Sequence, residues 1–135
     1  MVILEQQRAA FALEKVRGVV QAQHAAREKY KTQLLKLPAR LHTNGFGQTV
    51  AFYLTAGSDS AEAAICAWLE AWLRRPGGVY PGELALIDAV TGKDMDDDEA
   101  EAKYRQASDE ARALAVWLKR FAEAFIEAEP QEARP

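Results

Sequence analysis

The stretch Tyr30–Leu54, YKTQLLKLPARLHTNGFGQTVAFYL, decides the fold. Advancing 100° per residue from Tyr30 places Tyr30, Leu34, Leu37 and Leu41 within about 60° of one another, which predicts a helix over about Arg27–His42 with one buried face. Lys29, Gln33, Lys36 and Arg40 recur at i, i+4, i+7 and i+11 and give the same helix a cationic stripe on a different face. Pro38 lacks an N–H and its ring crowds the carbonyl of Leu34, so a kink is expected there. Asn44-Gly45 suits a helix end, because both residues tolerate positive φ. The next segment, about Phe46–Ala56, is apolar except for Gln48 and Thr49, which predicts a third helix at the centre of a bundle. The whole stretch reads as a helical hairpin with one wet, positive side and one dry side.

Upstream, a first helix is expected from about Leu4 to Gln23, with a wide apolar surface formed by Leu4, Phe11, Ala12, Val16 and Val19. Arg8 and Lys15 fall within that surface and must snorkel out or pair with acids. Gly18 weakens the helix by about 1 kcal/mol relative to Ala, and close packing of another helix is the expected reason for it. Downstream, Ser58 or Asp59, with Ser60 as a further candidate, can cap a fourth helix. It carries Ile65, Trp68, Leu69 and Trp72 on one face and stops at Arg74-Arg75-Pro76-Gly77-Gly78. A short fifth helix is expected over about Glu83–Val90. A long sixth follows the acidic run Asp94–Glu101 and reaches about Ala128, with a core stripe of Tyr104, Ala107, Ala111, Leu114, Leu118, Phe121 and Phe125. Residues 129–135 should fray. The expected fold is all-α, a single-domain bundle of about six helices over residues 1–135.

Composition agrees. The chain has 135 residues, 49% of them apolar, and is rich in strong helix formers without long Val/Ile/Thr alternations. That length buries enough surface to fold without disulfides or metal. Cys66 is the one cysteine and reads as a buried hydrophobe. With two histidines and one cysteine, no zinc ligand set is available. No signal-peptide core follows Met1–Leu4, and no apolar run approaches the roughly 18 residues of a membrane span, so a cytoplasmic protein with no membrane partner is expected. The net charge of −3 hides a partition. Residues 1–42 hold eight Lys/Arg and three Glu, a balance of +5, while residues 43–135 hold nine basic and seventeen acidic residues, a balance of −8. Such asymmetry lets one face meet a polyanion that the other repels.

The candidate chemistry is sparse. An EF-hand loop beginning at Asp94 would need Gly at its sixth position and Glu at its twelfth, where Glu99 and Arg105 stand. The acidic run reads instead as carboxylates favoured by a helix N-terminus, and no metal or other cofactor is expected. Gly45-Phe46-Gly47 follows no strand and precedes no GK[ST], so a tight packed corner is preferred over an anion site built from free N–H groups. His24 and His42 are remote from any nucleophile or carboxylate constellation, and no catalytic residue is nominated. Trp68, Trp72 and Trp117 could stack bases but at helical spacing read as core, with Trp117 at the edge of its stripe and able to anchor a protein. The stripe through Lys29, Lys36 and Arg40 is the best functional feature, with few acids nearby in sequence. Such a face can track phosphates without reading sequence. The alternative is an ordinary solvated face, or an adaptor surface for an acidic protein with no RNA.

Three blocks, LEQQRAAFALEKV (Leu4–Val16), Tyr30–Leu54 and EARALAVWLKRFAEA (Glu110–Ala124), resemble the small all-helical subunit of the type III-B CRISPR effector, the Cmr complex. LPARLHTNGFGQTVAF is the most specific phrase, and its NGFGQ block argues against the related type III-A subunit. Residues between Gly57 and Ala100 match the family pattern poorly. The resemblance implies a non-catalytic structural subunit of a ribonucleoprotein used in antiviral defence. Copies of it would stack as a minor filament along the backbone subunits that carry the guide RNA, enclosing the guide–target duplex. It implies RNA contact through the phosphate backbone but assigns no residues to it. Helical geometry nominates Lys29, Lys36 and Arg40, then Arg27, Lys31 and Arg17.

Overall fold

A computed structural model describes residues 2–127. The expected fraying of residues 129–135 lies outside that range. Six helices follow in order: α1 (Leu4–Val20), α2 (His24–Asn44), α3 (Phe46–Leu54), α4 (Ala61–Arg74), α5 (Leu86–Val90) and α6 (Asp97–Phe125), with no strand among the described residues. The all-α expectation holds.

The long α6 is the central element and packs most extensively on α1 and α2. Lys31, early in α2, donates to the carbonyl of Ile126 at 2.7 Å, beyond the end of α6. Phe46, just past the end of α2, meets Tyr104 edge-on at 5.7 Å, early in α6. Thus α2 runs antiparallel to α6. In α1, Arg8 pairs with Glu110 while Val20 shares a cavity with Phe125, so α1 runs parallel to α6. The core between them is made by Ala12, Val16, Leu34, Leu37, Leu41, Leu114 and Leu118, all fully buried.

Local chemistry explains the ends. α2 starts at His24, earlier than expected, because extended Gln23 offers its carbonyl to the N–H of Arg27. The helix continues through Pro38. Gly45, with φ of 83°, ends α2 and opens α3 as a single-residue corner. Ser60, rather than Ser58 or Asp59, caps α4 by accepting from the N–H of Ala63. α5 is shorter than expected because a distant side chain sets its start: Glu70 Oε2 accepts from the N–H of Leu86 at 2.8 Å. Asp96 caps α6 through the N–H of Glu99.

Three packing expectations are corrected. α3 is not buried all round: Phe46, Thr49, Val50 and Tyr53 are buried, while Phe52 and Leu54 are half exposed. Nine residues lying on the flank of the bundle can bury only one side. Phe125 is 48% exposed, because the chain leaves helical geometry at Ile126 and buries that residue in its place. Gly18 touches no neighbouring helix, since a Cβ there would have no atom within 4 Å.

Candidate nucleic-acid face

The dry side of α2 is fixed by Leu34, Leu37 and Leu41 at 0% exposure, which forces the Lys29–Arg40 stripe away from the core. At 1.5 Å per residue, Lys29 and Lys36 lie about 10 Å apart along the axis. Both are exposed, and neither forms an ion pair among the described residues.

Arg40 differs. It is half-buried, donates to Gln33 Oε1 and at 3.2 Å to the Tyr53 hydroxyl, and lies over the rings of Phe52 and Tyr53 at 5.0 and 5.5 Å. It therefore fastens α2 to α3 and presents its charge from a fixed position. Burial pushes the Tyr53 hydroxyl above the ordinary phenol range, partly offset by this hydrogen bond. Of the second-choice cations, Arg27 bonds the Ala22 carbonyl and His24 Nδ1 and closes the α1–α2 turn. Lys31 is held by Ile126, and Arg17 is exposed on α1. The structure thus gathers Lys29, Lys36 and Arg40 on one side of α2 and leaves Arg27 and Lys31 near its N-terminal end and Arg17 on α1.

Folding also supplies acids that sequence proximity did not reveal. A groove of about 470 Å³ between α2 and the start of α4 is lined by Glu28, Lys29, Gln33, Asp59 and Glu62. Lys29 therefore sits beside carboxylates, whereas Lys36 lies outside that groove.

The remaining candidates resolve into structural parts. The N–H of Gly47 donates to the Tyr104 hydroxyl at 3.0 Å, and the Thr49 hydroxyl donates to the carbonyls of Gly45 and Arg40, so these groups at the corner are used in packing it, while Asn44 and Gln48 are exposed. Asp97, Asp98 and Glu99 occupy the first turn of α6, where the dipole favours them. His24 and His42 stand about 27 Å apart along α2. Cys66 is buried, and burial pushes its thiol up to about 11. Trp72 is buried, Trp68 stacks on Tyr30 at 5.5 Å, and Trp117 donates to Glu5 at 2.7 Å.

One centre was missed in the sequence. Glu110 accepts two bonds from Arg8 and one from Trp72 Nε1, while the Arg75 guanidinium lies 3.4 Å from the Trp72 ring centroid. The hydrogen bonds from Arg8 hold the Glu110 carboxyl below the ordinary carboxylate range, against the opposing effect of burial. This network joins α1, α4 and α6 around a charge-assisted pair. Arg8 within an apolar surface was the visible signal, but the partner lies 102 residues away.

No described helix is long and apolar enough to cross a membrane. Comparison with curated proteins finds no match. The family model described as CRISPR-associated protein (Cas_Cmr5) matches residues 4–125, spanning also residues 57–100, where the resemblance read from the sequence is poor. With nearly the whole bundle covered, from the first residue of α1 to the last of α6, the chain belongs to this CRISPR-associated Cmr5 family and is a subunit of the type III-B Cmr complex.

Proposed function

We propose that the chain is a structural, non-catalytic subunit that stacks in several copies along the guide-bearing backbone of the Cmr complex and lines the groove of the target RNA. The observation carrying this reading is the two-sided character of α2. Its leucines are locked into the core while Lys29 and Lys36 stand exposed without ion pairs among the described residues. Exposed cations of this kind favour a phosphate backbone regardless of base sequence, which suits a complex whose specificity comes from base pairing. Lys36 is the foremost contact, because it stands outside the carboxylate-lined groove that Lys29 lines. Arg40 contributes charge from its seat on Phe52 and Tyr53. The work is done in the cytoplasm, where the guide RNA and its targets meet.

The test is a reconstituted complex carrying Lys29→Glu and Lys36→Glu, with Arg40 kept because its loss would also disturb packing. Target-RNA loading should weaken while assembly is retained. Unchanged RNA loading would contradict the groove-lining role, and an acidic protein captured through the same lysines would favour the adaptor alternative.

A further inference from the structure

Two aromatic rings among the described residues stand half exposed, Phe52 at 50% and Phe125 at 48%, and only Phe52 lies on the cationic hairpin of α2 and α3. Residues 29–58, which make that hairpin, hold four Lys/Arg and no Asp or Glu. The stripe through Lys29, Lys36 and Arg40 leads to this ring, and the Arg40 guanidinium lies over it, 5.0 Å from its centroid. The arrangement is held in place. Arg40 donates to Gln33 Oε1 and to the Tyr53 hydroxyl, and the Thr49 hydroxyl donates to the Arg40 carbonyl. Tyr53 is fully buried next to Phe52, so α3 cannot roll to hide the ring.

Charge and shape together indicate the occupant. An acid-free hairpin with Lys29 and Lys36 exposed favours an anion. A flat ring backed by a guanidinium favours another flat ring. A nucleotide supplies both halves at once, a base for Phe52 and phosphates for the cations. An acidic peptide would need its carboxylates and an apolar side chain in one particular order, whereas an RNA strand repeats base and phosphate at every residue. A paired base is stacked inside its duplex, so the base that Phe52 can reach is an unpaired one. Glu28, Asp59 and Glu62 line the groove beside Lys29, which leaves Lys36 and Arg40 as the phosphate contacts next to the ring.

We propose that Phe52 is a base-stacking platform: the α2–α3 face takes an unpaired nucleotide of the target RNA, with its base on Phe52 and its phosphates on Lys36 and Arg40. Stacking accepts any base, because every base has a π-face, so sequence reading stays with the guide. The face therefore favours target positions that the guide leaves unpaired. This inference rests on the groove-lining reading above and adds a contact to the base itself, which the lysines do not supply.

The test is photo-crosslinking in the reconstituted complex. Target RNAs carry a single 5-iodouridine, placed in turn at each position and either paired with the guide or mismatched to it, and mass spectrometry locates the adduct. Mismatched positions should cross-link to Phe52 and paired ones should not. Phe52→Leu keeps an apolar side chain at a half-exposed site, so fold and assembly should survive. It should abolish the adduct and weaken retention of mismatched target roughly tenfold. Phe52→Tyr should restore both. No adduct at Phe52 from any position, or wild-type retention by Phe52→Leu, would overturn the proposal. So would an adduct formed by a labelled guide and not by labelled target, or loss of a protein subunit from the Phe52→Leu complex, because the ring would then serve the guide or a protein. Salt dependence separates this inference from the reading beneath it. Phe52→Leu should leave the slope of log affinity against log salt unchanged, whereas Lys29→Glu with Lys36→Glu should flatten it. A flattened slope without a Phe52 adduct would overturn the stacking platform alone, and an unchanged slope in the lysine variant would overturn the groove-lining role.

Discussion

Gly47 and Gly18 both lie within helices, but their surroundings are opposite. A Cβ at Gly47 would come within 3.1 Å of Val90 Cγ1 and 3.2 Å of the Tyr104 hydroxyl, where α3, α5 and α6 converge. A Cβ at Gly18 would meet nothing within 4 Å. The first glycine permits a contact inside the molecule, and the second leaves room for one outside it. The same division separates the backbone of the α2–α3 corner, where the Gly47 N–H is taken up by Tyr104, from Lys29 near the start of α2, which stays exposed.

The largest effect should come from crossing the dry–wet boundary of α2 by a single residue. Leu37→Ala should lose about 3 kcal/mol in chemical denaturation, as expected for a large-to-small change at a fully buried site. Lys36→Ala, one position away, should stay within about 0.5 kcal/mol. Equal costs would mean that the two sides of the helix are not distinct.

Glu110→Gln should cost about 2 kcal/mol at neutral pH, because Arg8 keeps its charge and loses a charged partner. The Glu110 carboxyl is held below its unfolded value. Its stabilisation is therefore complete above the ordinary carboxylate range and is lost as pH falls through the lowered folded value. The stability difference between variant and wild type should shrink in acid, and a difference that grows there would contradict the assignment.

Gly47→Ala should destabilise by about 1 kcal/mol. Tyr104 cannot withdraw without giving up its hydrogen bond to that residue's N–H, which outweighs the helix propensity gained. Gly18→Ala should instead stabilise by up to about 1 kcal/mol. Thermal melts of the pair should move in opposite directions, and parallel shifts would erase the contrast between the two glycines.

Much of the fold was legible in the sequence because it rests on local periodicity. The leucines of α2 and the alanine–leucine stripe of α6 repeat at helical spacing, and capping residues and glycines mark most ends. The departures share one cause, which is contact between elements remote in sequence. Glu70 sets the start of α5, Glu110 collects groups from α1 and α4, and Ile126 takes the buried place expected for Phe125. The hydrophobicity of α3 gave no sign of how much of its surface the bundle could cover. At the candidate site the stripe itself was readable. Its modulation was not, because Asp59 and Glu62 reach Lys29 only through the packing of α4, and Arg40 is engaged by rings on α3.

The central claim is that the wet side of α2 meets the RNA backbone. It is tested most directly by the salt dependence of target-RNA binding to reconstituted complexes. The slope of log affinity against log salt should become shallower when Lys29 and Lys36 are replaced by alanine, by about one for each phosphate contact removed. An unchanged slope, with assembly intact, would show that these lysines do not face the RNA.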